Sequence, residues 1–155
     1  MNAQIAVAIL VGLAATINDL KSREIADWIP LTALVAGLGW QIGQAGWMMG
    51  PLYALGGAAS GFAVFLIFYL LGGMGGGDIK LMTGFGALLG AGQLLEAALW
   101  TAGVGGLLAV GLLGWRSGMR KLRPQTEGAD GAIDETIPYA PAIALGVWLS
   151  LVPKS

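Results

Sequence analysis

Two aspartates stand out in a chain that carries few charges. Asp19 closes the uncharged run 1–18, and Asp78 follows the glycines Gly75 to Gly77 at the end of the uncharged run 28–77. An ionisable side chain at the edge of hydrocarbon is expensive, which makes each a functional candidate. Paired carboxylates in such a place serve either proton relays or proteolysis. Each also has a plain structural explanation. Asp19 would be a solvated interfacial residue beside Lys21 and Arg23. Asp78 would cap the N-terminus of a helix, where an anion is favoured. The rest of the inventory leaves few other chemistries. The sequence contains no His and no Cys, which excludes a His base, a His metal site, a thiol nucleophile, a Cys zinc site and a disulfide framework. Carboxylates, hydroxyls, Lys, or a metal held by oxygen remain.

The elements that must position these aspartates are apolar helices. Hydrophobic residues make up 56% of the 155 and charged residues 11%, against roughly 25% charged in a soluble domain. Lipid is the expected solvent, and the net charge of −1 gives no case for nucleic acid as a partner. A crossing helix needs about 20 apolar residues at ~1.5 Å each. Charge-free stretches at 1–18, 28–77, 81–95, 97–115 and 136–153 predict an all-α fold of about six transmembrane helices. The expected helices lie near 3–18, 28–43, 51–71, 79–95, 97–115 and 137–152. The break between the second and third falls in Gly43–Pro51, where Gly, Pro and Trp47 gather. Residues 1–18 lack the basic segment of a secretory signal and are taken as the first membrane helix. The whole chain, 1–155, reads as one membrane-embedded domain with a polar loop at about 116–136.

Six crossings leave three loops on one side, 19–27, 72–80 and 116–136. Those loops hold Lys21, Arg23, Lys80, Arg116, Arg120, Lys121 and Arg123, and only Lys154 falls elsewhere. The positive-inside rule makes that side cytoplasmic and both termini non-cytoplasmic. Asp19 and Asp78 then lie at the same depth on the cytoplasmic side. Glycine is plentiful, 27 residues. The pairs Gly57/Gly61 and Gly86/Gly90 have the small-xxx-small spacing that lets helices approach closely in lipid. Gly75 and Gly77 before Asp78 permit backbone conformations barred to other residues. They also leave room for an extended peptide to add alongside by backbone hydrogen bonds.

Three segments together resemble the prepilin peptidase family of membrane aspartyl proteases. Asp19 followed by Arg23, Ile25 and Asp27 resembles the family's first catalytic segment, an Asp followed a few residues later by Ile-Pro-Asn. Ala26 and Asp27 stand in place of Pro-Asn. Gly75 to Leu81, GGGDIKL, is similar to the Gly-x-Gly-Asp-x-Lys segment, and Ile137 to Gly146, IPYAPAIALG, to the last helix. The resemblance implies that Asp19 and Asp78 are catalytic. Gly75, Gly77, Lys80 and Arg23 are expected to support the catalytic loop. One aspartate would activate a water and the other protonate the scissile carbonyl, with no cofactor and no metal. The substrate would be a prepilin or pseudopilin with a short basic leader, cut at the cytoplasmic face of a bacterial inner membrane. The chain resembles the short Flp/Tad-type members, without the Cys-rich methyltransferase domain of larger ones. Lys80 and Arg23 also have the plain role of interfacial cations. Presenilin-like proteases share Gly-x-Gly-Asp but have more spans and a deeper pair of aspartates. A rival from another class is a small transporter or pilus-assembly factor that uses the two aspartates for protons or ions.

Overall fold

A computed structural model describes residues 3–71, 74–122 and 139–152. Among them every regular element is a helix: α1 Ala3–Ser22, α2 Trp28–Leu70, α3 Gly76–Leu122 and α4 Ala140–Ser150. Three helical stretches, Ala3–Ser22, Trp28–Leu70 and Gly76–Leu108, are long and apolar enough to cross a membrane, and α4 is a shorter apolar helix.

Neither α2 nor α3 is a straight rod. Each contains one glycine far from helical geometry, Gly46 with φ 79 and ψ 174, and Gly90 with φ 75 and ψ 165. That region of backbone space is essentially reserved for glycine. A side chain on Gly50 would strike the Cα of Ile42, so the chain beyond Gly46 runs back along the chain before it. The first arm of α3 passes Gly61 at Met82 and Gly57 at Gly86. Past Gly90, Ala98 and Gly106 lie beside Phe65 and Phe68, so the second arm of α3 returns the way the first came. The described residues therefore form six helical segments.

The expected break at Gly43–Pro51 contains the observed one. The expected break near Glu96 is displaced to Gly90, and Glu96 lies inside the helix. Leu94, Leu95 and Glu96 are good helix formers, while Gly90 takes the positive φ that the turn requires. Two ends also move. The first helix continues through Asp19 to Ser22, and the helix expected to stop at 115 runs on to Leu122. Nothing breaks that stretch until Pro124, whose preceding residue is disfavoured in helical geometry. The first part of the expected polar loop 116–136 is therefore helical, and its remainder lies outside the described residues.

The first arm of α3 is the hub. Leu81, Met82, Phe85 and Leu88 are fully enclosed in it. Both arms of α2 press on it through small residues. Gly57 and Gly86 meet backbone to backbone, Gly61 lies against the Met82 carbonyl, and Gly37 against the backbone of Leu88. Gly57, from the first small-xxx-small pair seen in the sequence, thus packs on both members of the second, Gly86 and Gly90, while Gly61 packs on Met82. Near the turn at Gly90, helical carbonyls lose their partners, and the Gln4 and Gln41 amides both donate to the Leu88 carbonyl, at 3.0 and 3.3 Å. α4 fills the space between α1 and the second arm of α3. Gly146 faces Thr101, Gly12 faces Trp148, and the Trp148 indole donates to the Ala8 carbonyl at 3.0 Å. Outside, Trp47, Leu55, Leu70 and Leu99 are exposed. So broad an apolar surface belongs in lipid, and this is a membrane protein.

Helices in lipid associate by close packing rather than by a hydrophobic drive, so these glycine contacts should carry stability. Gly57→Leu or Gly86→Leu should destabilise by about 1–3 kcal/mol, the usual cost of overpacking. Thermal unfolding in detergent should show the lowered midpoint. Gly56→Leu, with nothing within 4 Å of the new Cβ, should leave it unchanged.

Candidate active site

Asp19 sits on the last turn of α1. The helix ends at Ser22, and Arg23 takes a left-handed φ of 54, the only positive φ outside glycine among the described residues. Its amide donates to the Asp19 carbonyl at 2.8 Å, the bond that closes a left-handed helix stop where glycine is the usual choice. This turn sends the chain to Ile25, which is buried against Gly77. A Cβ on Gly77 would stand 3.2 Å from that of Ile25. The loop after Asp19 is thereby laid on the segment that carries Asp78.

Asp78 occupies the third position of α3. Its Oδ2 accepts a hydrogen bond from the Gly75 amide at 3.1 Å, and its own amide donates to the Gly75 carbonyl at 3.2 Å. This is the acidic half of a capping box, so the capping role foreseen for Asp78 is real. Only Oδ2 is engaged in it. Asp19 repeats the arrangement with a different helix. Its Oδ2 accepts from the Ala140 amide, 121 residues away, at 3.1 Å. Ala140 opens α4, and the residue before it, Tyr139, offers no side-chain cap. A carboxylate from α1 therefore supplies the acceptor that α4 lacks. Among the described residues the second oxygen of each aspartate has no hydrogen bond.

Both aspartates are buried, at 7% exposure each, yet both line one cavity of about 420 Å³. They are close enough that the Asp19 charge acts on Asp78. Gly75, Gly76 and Gly77 form one wall, and Arg23, Glu24 and Tyr139 stand around the rest. None of these three glycines has a positive φ. The expectation that they provide unusual backbone geometry does not hold. Their contribution is the missing side chain: Gly76 faces open space, and the bare main chain borders the cavity. The amides of Gly76 and Gly77 belong to the first turn of α3, where donors have no intrahelical acceptor.

Lys80 pairs with Asp27 at 2.6 Å, both side chains being exposed. Asp27 immediately precedes α2 but makes no cap bond there, because its carboxylate is turned to Lys80. The ion pair clips the start of α2 to the first turn of α3 at the rim of the cavity. Arg23 contributes through its backbone turn, and its exposed side chain makes no ion pair among the described residues. Sequence reasoning missed Tyr139 and Ala140 as parts of the site. The signal was present in Pro138 and Pro141, which mark a helix start, and in the absence of a Ser, Thr, Asn or Asp to cap it.

The fold and site define a helical membrane protein with two buried carboxylates opening onto one cavity beside a bare glycine wall. The family model for the type IV leader peptidase family matches residues 6–110, and the chain belongs to that family, a group of prepilin-type peptidases. Neither a curated protein nor a solved structure matches it. The matched span carries Asp19 and Gly75 to Lys80, while Tyr139 and Ala140 lie beyond it.

An exposed ion pair contributes little. A double-mutant cycle on Asp27→Ala and Lys80→Ala should give a coupling of at most ~1 kcal/mol in detergent unfolding, fading as salt screens it.

Proposed function

We propose that this chain is a membrane aspartyl endopeptidase that removes the short basic leader of prepilin or pseudopilin substrates. The observation that carries the proposal is the meeting of Asp19 and Asp78 at one cavity, each with one oxygen tied to a backbone amide and the other unengaged among the described residues. Tied oxygens fix the orientation of both carboxyls without consuming their chemistry. Two buried carboxylates at one cavity, the charge of one acting on the other, do not both ionise cheaply, and in the mechanism proposed they hold one proton between them. The ionised member takes a proton from a water molecule, whose oxygen attacks the scissile carbonyl carbon. The protonated member gives its proton to the carbonyl oxygen. Collapse of the resulting gem-diol returns one hydroxyl proton to the aspartate that gave its own, so that the carbonyl re-forms, and expels the amine. The amine takes its proton from the acid formed in the first step, and the pair is left with its single proton. The Gly75–Gly77 wall is where an extended substrate lies, its carbonyls within reach of main-chain donors.

The six helical segments cross the membrane of a bacterial cell, with both termini outside the cytoplasm. Seven of the eight basic residues then face the cytoplasm, as the positive-inside rule requires. The cavity opens on that face, where a basic leader remains. Its lining suits such a leader. Asp27 and Lys80 cancel in their ion pair, and Glu24 with the single charge of the aspartate pair still exceeds Arg23 there.

Asp19→Asn and Asp78→Asn should each lower cleavage of a reconstituted prepilin by at least ~10³-fold, since an amide cannot exchange protons as the carboxyl does. Asparagine keeps a side-chain oxygen for the Ala140 or Gly75 amide, so both variants should unfold at the wild-type temperature. Full cleavage by either would end the aspartyl mechanism. Orientation has its own check. The chain has no cysteine, so in Glu24→Cys the single thiol should react with an impermeant maleimide in inverted vesicles and stay unlabelled in spheroplasts.

A further inference from the structure

A second cavity, of about 180 Å³, adjoins the first. Tyr139 lines both. The second cavity lies between the far end of α2 and the second arm of α3, walled by Phe65 and Phe68 on one side and by Ala98, Ala102 and Gly106 on the other. The two phenyl rings are 6.0 Å apart and tilted by 60°, a firm aromatic face. Ala98, Ala102 and Gly106 recur every four residues, the small-xxx-small spacing that elsewhere in this protein receives another helix at backbone distance. Here no described helix takes that place. Ala102 and Gly106 are exposed, and a Cβ on Gly106 would meet nothing within 4 Å.

The groove also has a direction. Ala140 is bonded to Asp19, and Gly105 faces Tyr139 and Ala142, which places Gly105 and Gly106 at the depth of the aspartates. Thr101 faces Gly146, two turns further along α4. The stripe from Gly106 to Ala98 therefore leads away from the catalytic cavity into the apolar body, over a length of about 12 Å at 1.5 Å per residue.

We propose that this groove seats the apolar helix of the substrate where it emerges from the catalytic cavity. The proposal rests on the leader-peptidase function above and adds the surface that selects the substrate. The leader lies in the acidic cavity, the scissile bond beside Asp19 and Asp78, and the following helix packs its small-residue contacts on Ala98, Ala102 and Gly106. Entry is sideways from the lipid, between the second arms of α2 and α3, so the substrate helix never leaves the membrane. Groove and aspartates together measure distance along the substrate: the seated helix sets which peptide bond reaches the carboxyls.

The test uses the full chain in proteoliposomes with a synthetic prepilin, a basic leader followed by roughly 20 apolar residues. Ala102→Trp and Gly106→Trp fill the groove at exposed positions and should keep the wild-type unfolding temperature. Each should raise KM about tenfold or more with kcat little changed, the pattern of lost ground-state binding. Gly103→Trp, exposed on the same arm but outside the groove, should change neither. An independent arm replaces Phe68, an exposed aromatic wall of the groove, with a photoreactive benzoylphenylalanine in the Asp78→Asn background. Crosslinks to the apolar helix of the prepilin are expected. Unchanged KM in both Trp variants would overturn the proposal. So would crosslinks that run instead to residues 123–138 of this chain, to a second copy, or to lipid alone. Crosslinking to the prepilin by the photoreactive variant, together with a wild-type protein that does not cut that prepilin, would refute the peptidase reading and leave the groove assignment supported.

Discussion

Two buried carboxylates at the border of an apolar bundle must each find a donor, and the structure meets that demand with the starts of two helices. The Gly75 amide ahead of α3 takes one oxygen of Asp78, and the Ala140 amide at the head of α4 takes one oxygen of Asp19. Helix starts are the natural source, since their amides have no partner within the helix and their dipoles favour an anion. The geometry that follows is strict. α1 must end beside the beginning of both α3 and α4. The bundle is arranged around that three-way meeting, and the cavity is what remains open at it.

Meeting there depends on how closely the other helices pack. α3 reaches the site through a first arm enclosed on nearly all sides, and its neighbours can surround it because glycine replaces side chains at the contacts. Gly57 on Gly86 and Gly61 on Met82 bring backbones together where lipid offers no hydrophobic incentive for helices to associate. Gly46 and Gly90 do a separate task, folding two long helices back on themselves without an intervening loop. Those tight reversals keep the end of the bundle away from the aspartates compact and leave the polar segments to the end that holds the aspartates.

At the rim, charges set position more than strength. Lys80 and Asp27 join the start of α2 to the start of α3 in an exposed pair worth little energy. Their effect is to keep both groups occupied with each other. Glu24 and the two aspartates then dominate the field of the cavity. Arg23, held in a conformation that a non-glycine residue adopts at a cost of order 1 kcal/mol, makes the sharp exit from α1 that brings Ile25 onto Gly77.

Solvent and helical class were legible in the sequence, and so were the two aspartates that the structure brings to one cavity. Uncharged stretches separated by short polar ones can satisfy their backbones in lipid only as helices, and an acidic residue at the end of such a stretch is costly enough to signal itself. The sequence also determined the packing glycines, because their spacing of four is a local property of a helix face. Other features depended on contacts between distant segments. The break at Gly90 rather than near Glu96 was decided by which glycine faced the turn. Tyr139 and Ala140 joined the site only because α4 packs on α1 at Gly12 and, through its own Gly146, on Thr101 of α3. Lys80 could not be assigned to Asp27 from spacing, since the pair spans two helices. The glycines before Asp78 looked in sequence like a source of unusual backbone angles, and tertiary structure gave them a different purpose, an open wall. Local pattern records what each segment can do in its solvent. Which ends meet, and which oxygen each amide takes, is settled only when the helices close on one another.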